Sequence, residues 1–123
     1  MALEALKYNA TLLLVVLASD NQNTHALSGV RILELGQIIA GTYGSQLLSD
    51  LGAEVIKIEP PNGDLGRLTS IAPYRGQSGL FLTFNRNKKS MVINLKSDKG
   101  LKIFYDLVKI SDVVVDNFRP GVL

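Results

Sequence analysis

The sequence predicts an α/β fold of Rossmann-like type, in which a mainly parallel sheet is covered by helices on both faces. Three observations carry that prediction. From Leu27 onward, short aliphatic runs alternate with segments of helical periodicity. The first such unit, Val30 to Ile58, reads as strand, helix and strand, with Gly52 closing the helix. The chain has 123 residues, 46% of them hydrophobic and 20% charged, which suits one soluble domain with a core of its own.

Residues 1–26 read as an N-terminal extension, either an extra strand or a cover for a sheet edge. Its apolar run, Ala10 to Ala18 (ATLLLVVLA), is well short of the ~20 residues a membrane-spanning helix needs. The run has the length of a signal-peptide core and comes after Lys7, but Glu4 in the leading segment and the cytosolic character of residues 27–123 oppose secretion.

Residues 27–123 form the α/β region. Val30 to Leu35 (VRILEL) is the first strand, and Gly36 to Gly44 is a loop entering a helix with Tyr43, Leu47, Leu48 and Leu51 on one face. Ala53 to Ile58 (AEVIKI) returns as a second strand after a right-handed crossover, and Pro60 and Pro61 end it because neither can donate to the ladder. Asn62 to Ser78 is a long irregular loop, a length that usually signals function or mobility. Ser90 to Leu95 (SMVINL) is the third strand. Ser97 or Asp98 caps the next helix, where Leu101, Phe104, Leu107 and Val108 form the apolar stripe and Lys99, Lys102, Asp106 and Lys109 face water. Asp112 to Asp116 (DVVVD) is the fourth strand, and Asn117 to Gly121 (NFRPG) is the turn that leaves it.

Charge and composition exclude several functions. A net charge of +2 gives no case for nucleic acid. The excess is local: seven of the 13 Lys and Arg lie between Arg86 and Lys109, against Asp98 and Asp106, and form either a phosphate-attracting patch or a solvated helix face. Without cysteine there is no disulfide, no Cys-ligated zinc and no thiol catalysis. The lone His25 sits in a polar linker, and neither a metal site nor a hydrolytic constellation is expected.

In doubly wound sheets ligands bind beyond the carboxyl ends of the strands. Three loops should crowd that rim: Gly36 to Gly44, Glu59 to Ser78, and Asn117 to Gly121. Glycines 36, 41 and 44 do not match G-x-G-x-x-G, whose first two glycines stand two apart. They serve either a phosphate at the helix N-terminus or helix-to-strand packing. Glu59 thereby loses its support as a ribose ligand and becomes an acceptor for amides of the next turn. NRNKKS, Asn85 to Ser90, precedes a strand and belongs at the opposite rim unless the long loop wraps around. NFRPG is sharper, since Arg119 can fork a phosphate, Phe118 can stack on a purine and Asn117 can read polar edges.

Taken in order, LSGVRILEL, Ala40-Gly41, DLGAEVIKIEPPNGD with Arg67, NRNKKS, NLKSDKG and SDVVVDNFRPGVL resemble the N-terminal portion of the class III CoA-transferases, the family of formyl-CoA and carnitine CoA-transferases. The likeness runs from about Leu27 to Leu123. It implies a CoA-binding α/β region of a longer enzyme whose two subunits interlock as a homodimer, with acyl-CoA and a carboxylic acid as substrates. By the same resemblance CoA is contacted at Ile39 and Ala40, at Gly79, Leu80, Phe81 and Leu82, and at Asn117, Phe118 and Arg119. Where some members carry a basic residue after the second strand, this sequence has Pro60. Family members pass CoA through an aspartyl intermediate, and no aspartate here matches that nucleophile, so the chain alone is expected to be inactive. The resemblance also implies a cytoplasmic location, or a mitochondrial one in a eukaryote. The competing readings are a noncatalytic interaction module with an open sheet edge and an independent dinucleotide-binding domain.

Overall fold

The computed structural model describes residues 25–122. The extension, with the Ala10 to Ala18 run, lies outside the described residues apart from its last positions. Four strands form one all-parallel sheet: β1 (Arg31–Glu34), β2 (Glu54–Glu59), β3 (Lys89–Val92) and β4 (Val113–Val115), in the order β3-β2-β1-β4. Helix α1 (Ala40–Asp50) joins β1 to β2, α2 (Gly79–Asn85) precedes β3, and α3 (Asp98–Val108) joins β3 to β4. The Rossmann-like reading therefore holds, and the four predicted strands are all present: β1 and β4 are shorter, β2 is shifted by one residue, and β3 starts one residue earlier and ends sooner.

Side chains alternate across a strand, so each face of the sheet can be read from the sequence. Leu33 and Leu35 of the first strand and Ile58 of the second point to one face, where Ile93 and Phe104 complete a core. Helix α3 covers it. Ser97 caps that helix, its Oγ accepting from the Gly100 amide at 3.1 Å, and Phe104, Leu107 and Val108 of the predicted stripe meet the sheet while Leu101 stays exposed. Burying a side chain the size of Phe104 stabilises the fold by roughly 1.5–3 kcal/mol.

Ile32 and Val55 face the other way with Ala53, and the partly buried Leu27, Val30, Leu48 and Val115 pack against them. Glu34, Lys57 and Glu59 share their parity, so this face turns from apolar to charged toward the carboxyl ends of the strands.

Helix α1 departs from its expected packing. Of the face predicted to be apolar, only Leu48 meets the core; Tyr43, Leu47 and Leu51 are 48%, 46% and 50% exposed. The buried positions are Gly41, Thr42, Ser45, Gln46 and Ser49. The reason is what lies beneath: small and hydroxyl-bearing residues can close on Glu34 and Lys57, and leucines cannot satisfy them.

Helix α2 is absent from the sequence reading. Ser78 starts it, its Oγ accepting from the Phe81 amide at 3.2 Å. Before it, the long loop holds a 3-10 turn, Leu65–Leu68, capped by Asp64, and a Tyr74–Gln77 bridge. Gly52 ends α1 as expected, at a φ of +100° that suits glycine. Among the described residues no helix is long and apolar enough to cross a membrane.

Candidate functional site

The strand order places a switch point between β1 and β4, where successive connections leave the sheet in opposite directions. Loops from those two strands part there and leave a crevice at their carboxyl ends. In this crevice the Asn117 side chain spans the gap: its Oδ1 accepts from the Gln37 amide at 2.9 Å and its Nδ2 donates to the Gln37 carbonyl at 3.1 Å. The β1–α1 loop and the turn after β4 therefore share one rim, as the sequence reading required.

That loop is tightly built. Gly36 and Gly41 meet back to back, since a Cβ on Gly36 would sit 3.0 Å from the Gly41 backbone. This favours packing over phosphate contact for that pair. Ile38 then takes a φ of +65°, an unfavourable value for a β-branched residue. Its amide donates to Asp64 Oδ1 at 3.2 Å, and the Gly36 carbonyl accepts from Lys57 Nζ at 2.7 Å.

Beneath the loop lies a buried network that the sequence reading missed. Lys57 Nζ stands 2.7 Å from both Glu34 Oε1 and Asp64 Oδ2, with all three side chains at most 2% exposed. Lys88 Nζ donates to Glu34 Oε2 at 2.7 Å, to the Thr42 carbonyl at 2.7 Å and to Ser45 Oγ at 3.0 Å. Two lysines thus balance two carboxylates in a dry space. Burial alone would raise the Glu34 carboxyl; the Lys57 charge and hydrogen bonds from Lys57, Lys88 and Ser45 outweigh it and hold the group below its usual range. Burial pushes the Lys88 ammonium below the usual lysine value, against the pull of Glu34.

Lys88 gives NRNKKS a buried role, its side chain being 2% exposed. The segment does sit before β3, with Asn87 at a φ of +61° and its side chain on the Ser49 carbonyl, and Arg86 lies at the surface paired with Asp50. Lys88 and Ser90 reach inward, Ser90 Oγ onto Glu59.

Glu59 is occupied as the structural reading expected. Arg67 donates to both of its oxygens at 2.7 Å, Ser90 Oγ donates at 2.6 Å and the Asp64 amide at 3.0 Å. Those Arg67 bonds, with help from Ser90 and Asp64, bring its carboxyl down to about 2. No lone pair is left in a position to grip a ribose.

The named contact residues fall into two groups. Ile39 and Ala40 are exposed at the start of α1, beside the Asn117 clamp. Phe118 is half-buried and lines a rim cavity of about 430 Å³ together with Gln37, Pro60, Ile93 and Lys96. Arg119 is exposed and makes no ion pair among the described residues. Gly79, Leu80, Phe81 and Leu82 form the first turn of α2 instead. A Cβ on Gly79 would lie 2.0 Å from the Ala72 carbonyl, so that position is reserved for glycine. Phe81 is buried under the Arg67 guanidinium, 3.7 Å from its ring centroid, while Leu82 is exposed. No hydrogen bond joins that turn directly to the Asn117 turn among the described residues; the link runs through Thr69 Oγ1, 2.6 Å from Ser78 Oγ, and the turn beside Asp64.

The parallel order, the switch-point crevice and the braced loop define an α/β protein of the doubly wound class with a candidate ligand rim between β1 and β4. Similarity to known proteins narrows this. The chain belongs to CoA-transferase family III, whose family model matches residues 27–123. It is 44% identical over 106 residues to the succinyl-CoA:glutarate CoA-transferase of Homo sapiens, covering 85% of this chain and 24% of that protein. It is 43% identical over 97 residues to the acetyl-CoA:oxalate CoA-transferase of Acetobacter aceti, covering 77% of this chain and 24% of that protein. Among solved structures, a CAIB/BAIF family protein from Brucella suis superposes with a TM-score of 0.73 at 39% identity, covering 81% of this chain and 27% of the other. The chain spans about a quarter of the length of the curated relatives it matches.

Proposed function

We propose that this chain forms part of the CoA cradle of an acyl-CoA transferase, an enzyme that moves CoA between carboxylic acids through an aspartyl intermediate. The nucleophilic aspartate of that reading lies outside this chain. The observation that carries it is the pair of hydrogen bonds between Gln37 and Asn117, which set the Ile39–Ala40 loop and the Asn117–Arg119 turn on one rim.

The rim suits the ligand. Phe118, Pro60 and Ile93 offer apolar surface for an adenine or a pantetheine arm, and Lys96 and Arg119 bring positive charge for its phosphates. Ile39 and Ala40 would touch CoA from the helix start. Asn117 would act by bracing the loop, since its amide is already engaged. Gly79 to Leu82 would contribute through Leu80 and Leu82, because the Phe81 ring is covered.

The complete protein is read as a homodimer. The exposed Tyr43, Leu47 and Leu51 support it, because an apolar helix face of that kind calls for covering polypeptide. A cytoplasmic or, in a eukaryote, mitochondrial setting belongs to the same reading.

Calorimetric titration of the purified chain with CoA and with NAD tests the proposal. CoA should bind and NAD should not; NAD binding alone would restore the dinucleotide reading, and binding of neither would favour a noncatalytic interaction module. Arg119→Ala should weaken CoA binding by about tenfold, the loss expected for one charge-assisted phosphate contact. An unchanged dissociation constant at low salt would remove Arg119 from the site.

A further inference from the structure

We propose that Asp64 and Lys57 are positioning residues that brace the β1–α1 loop in its ligand-binding shape. The CoA arm of this inference rests on the function proposed for the rim; the brace itself does not. Four successive backbone groups of the loop are each held by a side chain from elsewhere: the Gly36 carbonyl by Lys57, the Gln37 amide and carbonyl by Asn117, and the Ile38 amide by Asp64. A loop crossing a ligand rim would ordinarily leave such groups to water. Here they are satisfied before any ligand arrives, and the unfavourable φ of +65° at Ile38 persists because its surroundings over-determine it.

The braces are themselves fixed. Asp64 is 1% exposed, caps the 3-10 turn through the Gly66 amide, and stands 2.7 Å from Lys57 Nζ. Lys57 is anchored in turn on Glu34 at 2.7 Å. Asp64 therefore has two separable jobs. Its bond to Gly66 shapes its own turn, and its bond to Ile38 reaches across to the loop that presents Ile39 and Ala40. Preorganisation of this kind raises affinity by removing the ordering cost from the binding step.

The two jobs can be separated by substitution. Asp64→Ser keeps a short hydroxyl able to cap Gly66 but too short to reach Ile38, whereas Asp64→Ala removes both. Val30→Ala, at the amino ends of the strands where it packs on Ile32 and Val55, serves as a destabilised control away from the loop and the rim cavity. In the chain without ligand, amide hydrogen exchange at Ile38 should speed up by about tenfold or more in both Asp64 variants and stay unchanged relative to its neighbours in Val30→Ala. CoA affinity should fall by about tenfold or more in both Asp64 variants, whatever their thermal stability, and hold in the control. Unchanged exchange at Ile38 in Asp64→Ser would overturn the brace. Faster exchange with undiminished CoA affinity would overturn its role in binding. If the unsubstituted chain takes no CoA, the proposed function fails, while faster exchange at Ile38 still upholds the brace.

Discussion

The two faces of this sheet are built from the same two strands yet hold together by different physics. Under α3, Leu33, Leu35, Ile58, Ile93 and Phe104 form a core in which geometry matters only through close packing. Under α1 and α2, the carboxyl half of the face is a lattice of Glu34, Lys57, Asp64 and Lys88 in which every partner is needed. A dry ion network confers little net stability against an apolar substitute of the same shape, but it fixes directions that apolar contacts do not. The charged half lies directly below the β1–α1 loop, which Lys57 and Asp64 hold by its Gly36 carbonyl and Ile38 amide. The apolar face carries stability; the charged face carries placement.

The largest effects should come from paired substitutions, one on each face. Lys57→Met leaves two buried carboxylates without their shared cation and should lower stability by about 3–5 kcal/mol at neutral pH. Phe104→Ala should cost a similar ~3–5 kcal/mol through loss of packing. Denaturant unfolding distinguishes them by pH: the Lys57→Met deficit should shrink toward acid as protonation removes the excess buried negative charge that Lys88 alone leaves unbalanced, and the Phe104→Ala deficit should not. Equal pH profiles would erase the contrast between the faces.

A smaller effect concerns the edge of the charged face. Glu59 has its folded-state carboxyl at about 2, against 4.5 for the free group. A depressed carboxylate contributes stability that is complete above the unfolded value and is lost as pH falls from there through the folded value. The acid limb between about pH 5 and pH 2 should therefore include a loss on the order of 2–3 kcal/mol that Glu59→Gln flattens. An acid limb identical in the variant would mean that the Arg67 pairing survives in the unfolded chain or is absent from the folded one.

The smallest effect is a gain. Ile38→Asn places a residue tolerant of positive φ at the strained position and should raise the melting temperature, by an amount corresponding to about 1 kcal/mol. No change, or a loss, would show that packing of the isoleucine side chain outweighs the backbone strain.

Much of this architecture was readable from residue order. Short aliphatic runs located four strands, Gly52 and the Ser97–Asp98 pair marked helix ends, and the prolines after Glu59 stopped β2 where expected. The failed glycine fingerprint correctly removed Glu59 from ribose binding. Two things escaped. Helix α2 is seven residues long and lies at the end of an irregular loop, too short for periodicity to stand out. The ion network was visible in principle: Glu34, Lys57 and Glu59 share the parity of Ile32 and Val55, and in a sheet covered on both faces such residues must be buried and paired. The apolar face of α1 misled because a helix over a charged patch reverses the usual rule.

By itself, then, the amino-acid order determined the succession of strands and helices, the parallel winding and the family likeness, because those depend on local periodicity and chain punctuation. Only tertiary structure decided which lysine goes inward, which side of α1 is buried, and that Asp64 and Asn117 meet a loop lying far away along the chain. Those outcomes depend on distances between side chains remote in sequence, and a buried charge takes whichever partner the fold brings within reach.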